Sequence, residues 1–362
     1  MKILIAADLV PTSQTAADFA AGNLDRLFGK VRHIAKECDR FIVNLECALT
    51  ESENAIKKFG PNLKGPVKTA DTLRELGVTD VALANNHVFD YGIEGLKDTV
   101  AALDSAGLPY FGIGENDTDS RRPYFFEVEG KRIAVINVCE HEYTYALPNR
   151  MGANPFDPFL TMQDIRAAKS EADFLIVLYH GGKEYSGYPS PRLRNLCREM
   201  VYCGADAVIT QHSHCVGCYE KFEGAHILYG QGNFNFSYPE FSARRECWKT
   251  ALLVMLTVTD KVGIDFIPIV DTGCGCDLAE GEQKEKIISE FEDRNAELSD
   301  GRWLDGWERF CHSDIMPVYM DVARHTIDHS EKEEHFAHYL DCEAHLDVFK
   351  TLFKTWNHTN EI

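Results

Sequence analysis

The chain has no apolar run approaching the roughly 20 residues that a membrane-spanning helix needs. Nor is its N-terminal stretch expected to act as a leader. The opening MKILIAADLV sets one Lys before an apolar stretch too short for a signal peptide, and Asp8 stands where a small-residue cleavage site would be. The expectation is a protein that begins at Met1 and stays in the cytoplasm. Positive charge is scarce: 37 Lys and Arg face 57 Asp and Glu, a net charge of −20, which argues against a nucleic-acid backbone or an anionic membrane surface as partner. No internal repeat is visible, and no disulfide framework either. Twelve cysteines scattered over 362 residues without an export signal read as reduced thiols. Cys215 with Cys218 and Cys274 with Cys276 have ligand-like spacing, but their flanks are not those of a zinc ribbon.

What is present is a soluble globular composition, 44% hydrophobic and 26% charged, in a chain longer than one ordinary hydrophobic core. Residues 1–276 alternate short apolar runs with segments of helical period, which predicts an α/β fold. Apolar runs at 3–7, 41–45, 78–84, 174–179, 207–210, 227–229, 251–258 and 263–270 read as strands. Residues 124–138 read as a hairpin turning at Glu129 and Gly130, and residues 140–160 as a long loop. Leu24, Leu27, Val31 and Ile34 recur at helical spacing after a cap at Thr12 or Ser13. From Asp277 onward the pattern changes to charged helices without strands, with 21 acidic residues against 9 basic ones. The predicted organisation is therefore a domain at 1–276 and an acidic helical extension at 277–362. Leu346, Phe349, Phe353 and Trp356 mark a stripe that should pack.

Several strands end in a group able to bind metal. Asp8 follows KILIAA, Glu46 follows FIVNL, Asn86 and His87 follow VALAN, His180 follows FLIVLY, and His212 and His214 follow AVITQ. In open α/β sheets the loops at the carboxyl ends of strands converge on one crevice, so these residues should meet. Carboxylates, an amide and imidazoles suit one or two divalent ions such as Mn²⁺, Zn²⁺, Fe²⁺ or Mg²⁺. Such ions activate water and polarise a phosphoryl or carbonyl oxygen. His87, beside the ligand Asn86, is then placed to protonate a leaving group, and Asp90 to orient it and raise its pKa.

The stretches NLECALT, ALANNHVFDYGIEGLKDTVAALDSAGLPYFGIG, HGGKEY, QHSHCVG and YGQGNFNF, spread over about residues 1–240, resemble the CapA-type poly-γ-glutamate capsule proteins of the calcineurin-like metallophosphoesterase superfamily. The resemblance implies a four-layer sandwich, two β-sheets flanked by helices. It assigns Asp8, Glu46, Asn86, His180, His212 and His214 to metal positions and His87 to the catalytic acid. Three positions depart from the pattern. Val10 replaces the first-motif His, Glu46 the second-motif Asp, and Gly181 the Trp common after the His of the HWGxEY motif.

Lys64, where the family tends to place Arg, and Lys183 and Arg192 near His180 are candidates for holding an anionic substrate. Glu184, Tyr185 and Asn233 are candidates for shaping the pocket. The expected function is a metal-dependent hydrolase acting on a phosphoester or a poly-γ-glutamate-like amide, with metal-activated water and His87 as general acid. The alternative is a non-catalytic polymer-binding or assembly protein in poly-γ-glutamate synthesis. Expected partners are an anionic small molecule or polyglutamate, and a protein partner or second copy through the C-terminal helices.

Overall fold

The computed structural model describes residues 1–140, 142–329 and 333–353. One sheet runs in the order Cys276–Leu278, Val262–Asp271, Thr250–Val258, Lys2–Leu9, Arg40–Leu45, Asp80–Ala82, Tyr110–Phe111, with Asn233–Asn235 alongside the end of Lys2–Leu9. The other runs Val216–Phe222, Ala225–Gln231, Ala207–Gln211, Phe174–His180, Lys131–Cys139, Tyr124–Val128. Neighbours are parallel in the centre of each sheet, from Lys2–Leu9 to Tyr110–Phe111 and from Ala225–Gln231 to Lys131–Cys139. Antiparallel strands finish the edges. The central strands are buried on both faces, which is why their sequences read as continuous apolar runs rather than alternating ones.

Alternation along each strand divides the core into layers. Ile3 and Ile5 meet Val135, Ile176 and Ile209 between the sheets. Leu4, Phe41 and Val43 face the other way, toward Leu73 and Leu103 of the helices Thr69–Leu76 and Gly92–Ala106. Leu175 and Val177 of the second sheet pack on Ile165 and Met200 of Pro158–Ser170 and Pro191–Tyr202. The result is helix, sheet, sheet, helix, the sandwich that the resemblance implies. Among the described residues no helix is long and apolar enough to cross a membrane.

Several expectations need correction. The single helix read through Leu24 to Ile34 is three short ones, Ala16–Ala21, Leu24–Phe28 and Val31–Ala35, because Gly22 and Gly29 take positive φ angles of 69° and 41°. The helical spacing survives the breaks because each short helix still turns an apolar face to the sheet. Neither Thr12 nor Ser13 caps the first of them. The strand expected at 78–84 is only Asp80–Ala82, since the Val78 amide closes the preceding helix by bonding Leu73 O at 3.0 Å. The hairpin does turn at Glu129 and Gly130, both left-handed at φ 50° and 75°.

Beyond residue 276 the chain does not separate cleanly from the sandwich. Cys276–Leu278 still pairs with Val262–Asp271, and Ile287 and Phe291 of the helix Gly281–Asp300 join the core between the sheets. Arg294 and Asn295 of that helix bond the edge strand, at Gly217 O (2.9 Å) and the Tyr219 amide (2.6 Å). Among the described residues, the helices Trp303–Phe310, Met316–His329 and Glu333–Asp341 lead to Glu343–Leu352. Their core is built on Trp307, Tyr319, Tyr339 and Val348 and takes in Phe59 and Tyr188 of the sandwich. Phe349 packs against that cluster, while Trp356 lies outside the described residues.

Candidate metal centre and its pocket

The expected donors converge because parallel strands of both sheets end at the same edge of the sandwich. Lys2–Leu9 carries a bulge between Ala6 and Asp8, which breaks the alternation and turns Asp8 toward the second sheet. Gln211 Nε2 bonds Ala6 O at 3.3 Å and Gln231 Nε2 bonds Ile5 O at 2.7 Å, so the two sheets are tied together just behind the donors. Asp8, Glu46 and His180 form one trio and Glu46, His212 and His214 a second, the ligand atoms in each lying within 4.8 Å of one another. Glu46 belongs to both. Asn86 Oδ1 lies 2.8 Å from His180 Nε2 and so borders the first trio.

Burial makes this cluster electrostatically costly. It pushes Asp8 up to about 6, with the neighbouring Glu46 adding to the shift, and it raises Glu46 as well. Burial alone would lower His214, but Glu46 and Asp8 outweigh it and the ring is raised. Both Glu46 side-chain oxygens are buried without a hydrogen-bond donor. An unsatisfied buried carboxylate at the centre of such a group is what a divalent cation would neutralise, and the donor set fits a hard or borderline one. His212 and His214 also have positive φ angles of 87° and 54°, an unusual backbone for residues with a Cβ, of the kind found at functional sites.

Three asparagines hydrogen-bond the donors and the loop that carries them. Asn44, which the sequence reading passed over, donates Nδ2 to Asp8 Oδ1 at 2.7 Å and lies 3.2 Å from His180 Nδ1. Asn85 donates to Asn44 Oδ1 (3.0 Å) and Leu45 O (2.8 Å) and accepts the His87 amide (3.1 Å), so it staples the NNH loop to the strand that delivers Glu46. Asn233, a candidate for shaping the pocket, holds His214, with Oδ1 2.8 Å from Nδ1. Val10 is buried in the apolar cluster with the helices and offers no donor.

His87 borders the pocket as expected, and Asp90 Oδ2 lies 2.6 Å from its Nδ1. The expected rise in pKa is corrected. Burial and the cation of Lys58 lower it, outweighing Asp90. Lys58 is the main residue that the sequence did not disclose. Its Nζ sits 2.5 Å from Asp90 Oδ1 and 3.0 Å from His87 Nδ1, although it comes from a loop with no periodic signal.

A cavity of about 370 Å³ opens in front of Asn86, His87 and His212. Lys183, Glu184 and Tyr185 line it as expected, joined by Lys58 and Arg245, and its far wall is the C-terminal helices through Tyr319, His338, Tyr339 and His345. Lys64 and Arg192 do not reach it, which corrects their expected role. Lys64 Nζ bonds Ser52 O (2.8 Å) and Glu53 (2.7 Å). Arg192 is drawn away by buried carboxylates, pairing with Glu140 and, through Nε, with Asp347 at 2.9 and 3.0 Å.

Fold and site together define a two-sheet sandwich flanked by helices, with a cluster of metal-ligand side chains at one edge. The chain belongs to the bacterial capsule synthesis protein PGA_cap family, whose model matches residues 2–238. It is 33% identical over 221 residues to the capsule biosynthesis protein CapA of Bacillus anthracis, covering 59% of this chain and 54% of that one. It is 31% identical over 218 residues to the PGA biosynthesis protein CapA of Bacillus subtilis, covering 59% and 57%. The matches thus span little more than half the length of these relatives. Among solved structures, a phosphatase from Mycoplasma pneumoniae aligns at 17% identity and a TM-score of 0.48, over 75% of this chain and 93% of that one.

Proposed function

We propose that the protein is a metal-dependent hydrolase acting on a phosphoester or on a poly-γ-glutamate-like amide. The observation that carries this reading is Glu46, a buried carboxylate without hydrogen-bond donors that two sets of nitrogen and oxygen donors share. Asp8, Glu46, Asn86, His180, His212 and His214 would hold one or two divalent ions, which supply polarisation of the scissile phosphoryl or carbonyl group. His87 presents its ring to the cavity. Asp90 engages Nδ1, which leaves Nε2 to carry a proton to the departing group. Its lowered pKa makes the imidazolium a stronger acid while reducing the fraction that is protonated at neutral pH, so general-acid activity should rise as pH falls. Lys58, Lys183 and Arg245 bring positive charge to the cavity of an otherwise acidic protein and would bind an anionic substrate. The helices across the mouth favour a small substrate or a chain end over the middle of a polymer.

The test is elemental analysis joined to turnover of an aryl phosphate and a γ-glutamyl anilide. Metal in the purified protein, with hydrolysis that a chelator stops and His87→Ala reduces, is the expected result. A metal-free protein that stays inert after Mn²⁺, Zn²⁺ or Fe²⁺ is supplied would refute it. A second reading rests on Val10: the apolar residue at the first-motif His position favours a non-catalytic polyglutamate-binding or assembly role. Polyglutamate binding that survives His87→Ala, without turnover of either compound, would favour that one.

A further inference from the structure

Half of the chain's fourteen histidines lie beyond residue 276, outside the span matched by the family model. Two of them meet a cysteine. His338 is in the last turn of Glu333–Asp341, and Cys342 occupies the break before Glu343–Leu352 with extended backbone angles (φ −87°, ψ 129°). His345 is in the first turn of that second helix. The spacing is His-x₃-Cys-x₂-His, and the kink at Cys342 folds the three onto one side. Their ligand atoms lie within 4.8 Å of one another, and all three residues are buried, with Cys342 entirely inaccessible.

We infer that His338, Cys342 and His345 form a second metal site, of a different donor class from the first and suited to Zn²⁺. One thiolate and two imidazoles are borderline-soft ligands that zinc binds tetrahedrally, whereas the trios around Glu46 combine carboxylates with imidazoles and contain no thiol. The surroundings match a built site. Phe59 stacks on the His338 ring at 4.6 Å, the two imidazole centroids are 5.0 Å apart, and Tyr319 hydrogen-bonds His345 Nδ1. Both imidazoles also line the cavity that reaches Asn86 and His87, so a metal held by them would lie beside that cavity. A metal here would clamp the last two helices together and fix the far wall of the pocket. The site depends on no assumption about hydrolysis.

Cobalt substitution tests it with a readout that the first site cannot produce. The full chain, reduced and stripped of metal, is titrated with Co²⁺. The expected result is a near-ultraviolet thiolate-to-cobalt charge-transfer band whose final intensity corresponds to one thiolate–cobalt bond per chain and which is bleached by Zn²⁺. Cys342→Ser removes the band, and His180→Asn, which damages the other site, leaves it in place. His345→Gln is the second variant, checked for native circular dichroism, and it too loses the band. A wild-type protein that shows no band overturns the inference without recourse to any variant. So does a band that Cys342→Ser leaves unchanged, since another of the twelve thiols would then be its source.

Discussion

Replacing Gly181 with alanine should cost stability because of what has filled the space beside it. A Cβ built there would lie 2.5 Å from Glu140 Oε2, 2.6 Å from Glu140 Cβ and 2.9 Å from Tyr179 Cε1. Glu140 cannot simply swing away. It is wholly buried, Oε2 accepts the Gly182 amide at 2.7 Å, and Oε1 pairs with Arg192. Overpacking a filled core costs roughly 1–3 kcal/mol, and loosening a buried hydrogen bond to a charged group roughly 1.5–3 kcal/mol more. The expected loss is therefore about 2.5–6 kcal/mol, read as a fall in the urea midpoint with an unchanged slope. Because Arg192 links Glu140 to Asp347, the C-terminal helices should also become more open to protease. A change within about 0.5 kcal/mol, the usual range for substitutions away from such features, would refute the reasoning. The same geometry explains why the tryptophan common at this place in the resembling family is absent here: Glu140 occupies the room an indole would need.

Asp347→Ala should remove the anchor that Arg192 and Ser190 grip (Ser190 Oγ to Oδ2, 2.6 Å), costing roughly 1–3 kcal/mol because Arg192 is partly exposed and keeps Glu140; hydrogen exchange should rise in 333–353 and not in the sheets. Gly112→Ala, at φ 88°, would drive a Cβ into the Asn137 amide that bonds the Ala84 amide at 2.8 Å, so it should lower both stability and metal affinity by displacing the loop carrying Asn86; metal content equal to wild type would contradict this. His226 is held neutral between Tyr219 OH (2.8 Å) and Val262 O (2.9 Å), and burial lowers its pKa below the ordinary 6.5. Its contribution to stability is thus present above pH 6.5 and lost as pH falls below it, and His226→Gln should flatten the decline in melting temperature between pH 7.5 and 5.5, both about one unit from that value. If the centre around Glu46 binds metal, supplying the ion at about 100 times its dissociation constant should stabilise the protein by about 2.7 kcal/mol, and a chelator should reverse the gain in a thermal melt.

Much of this molecule is legible without coordinates because its information is local. Each central strand is an apolar run that stops at a polar donor, and parallel strands deliver their carboxyl ends to one edge, so Asp8, Glu46, Asn86, His180, His212 and His214 can be grouped from the sequence. The acidic, strand-free character of the tail is equally plain. The remainder depends on contacts between distant positions. Lys58 reaches Asp90 and His87 from an aperiodic loop, and Arg192 turns to Glu140 and Asp347 instead of a substrate. Neither pairing has a signature in composition or spacing, because a long charged side chain goes to whichever buried carboxylate the fold leaves within reach. The tail shows this most fully: its helical stripes say that it packs, but only the tertiary structure decides that it packs across the pocket, bringing His338, Cys342 and His345 together opposite His87.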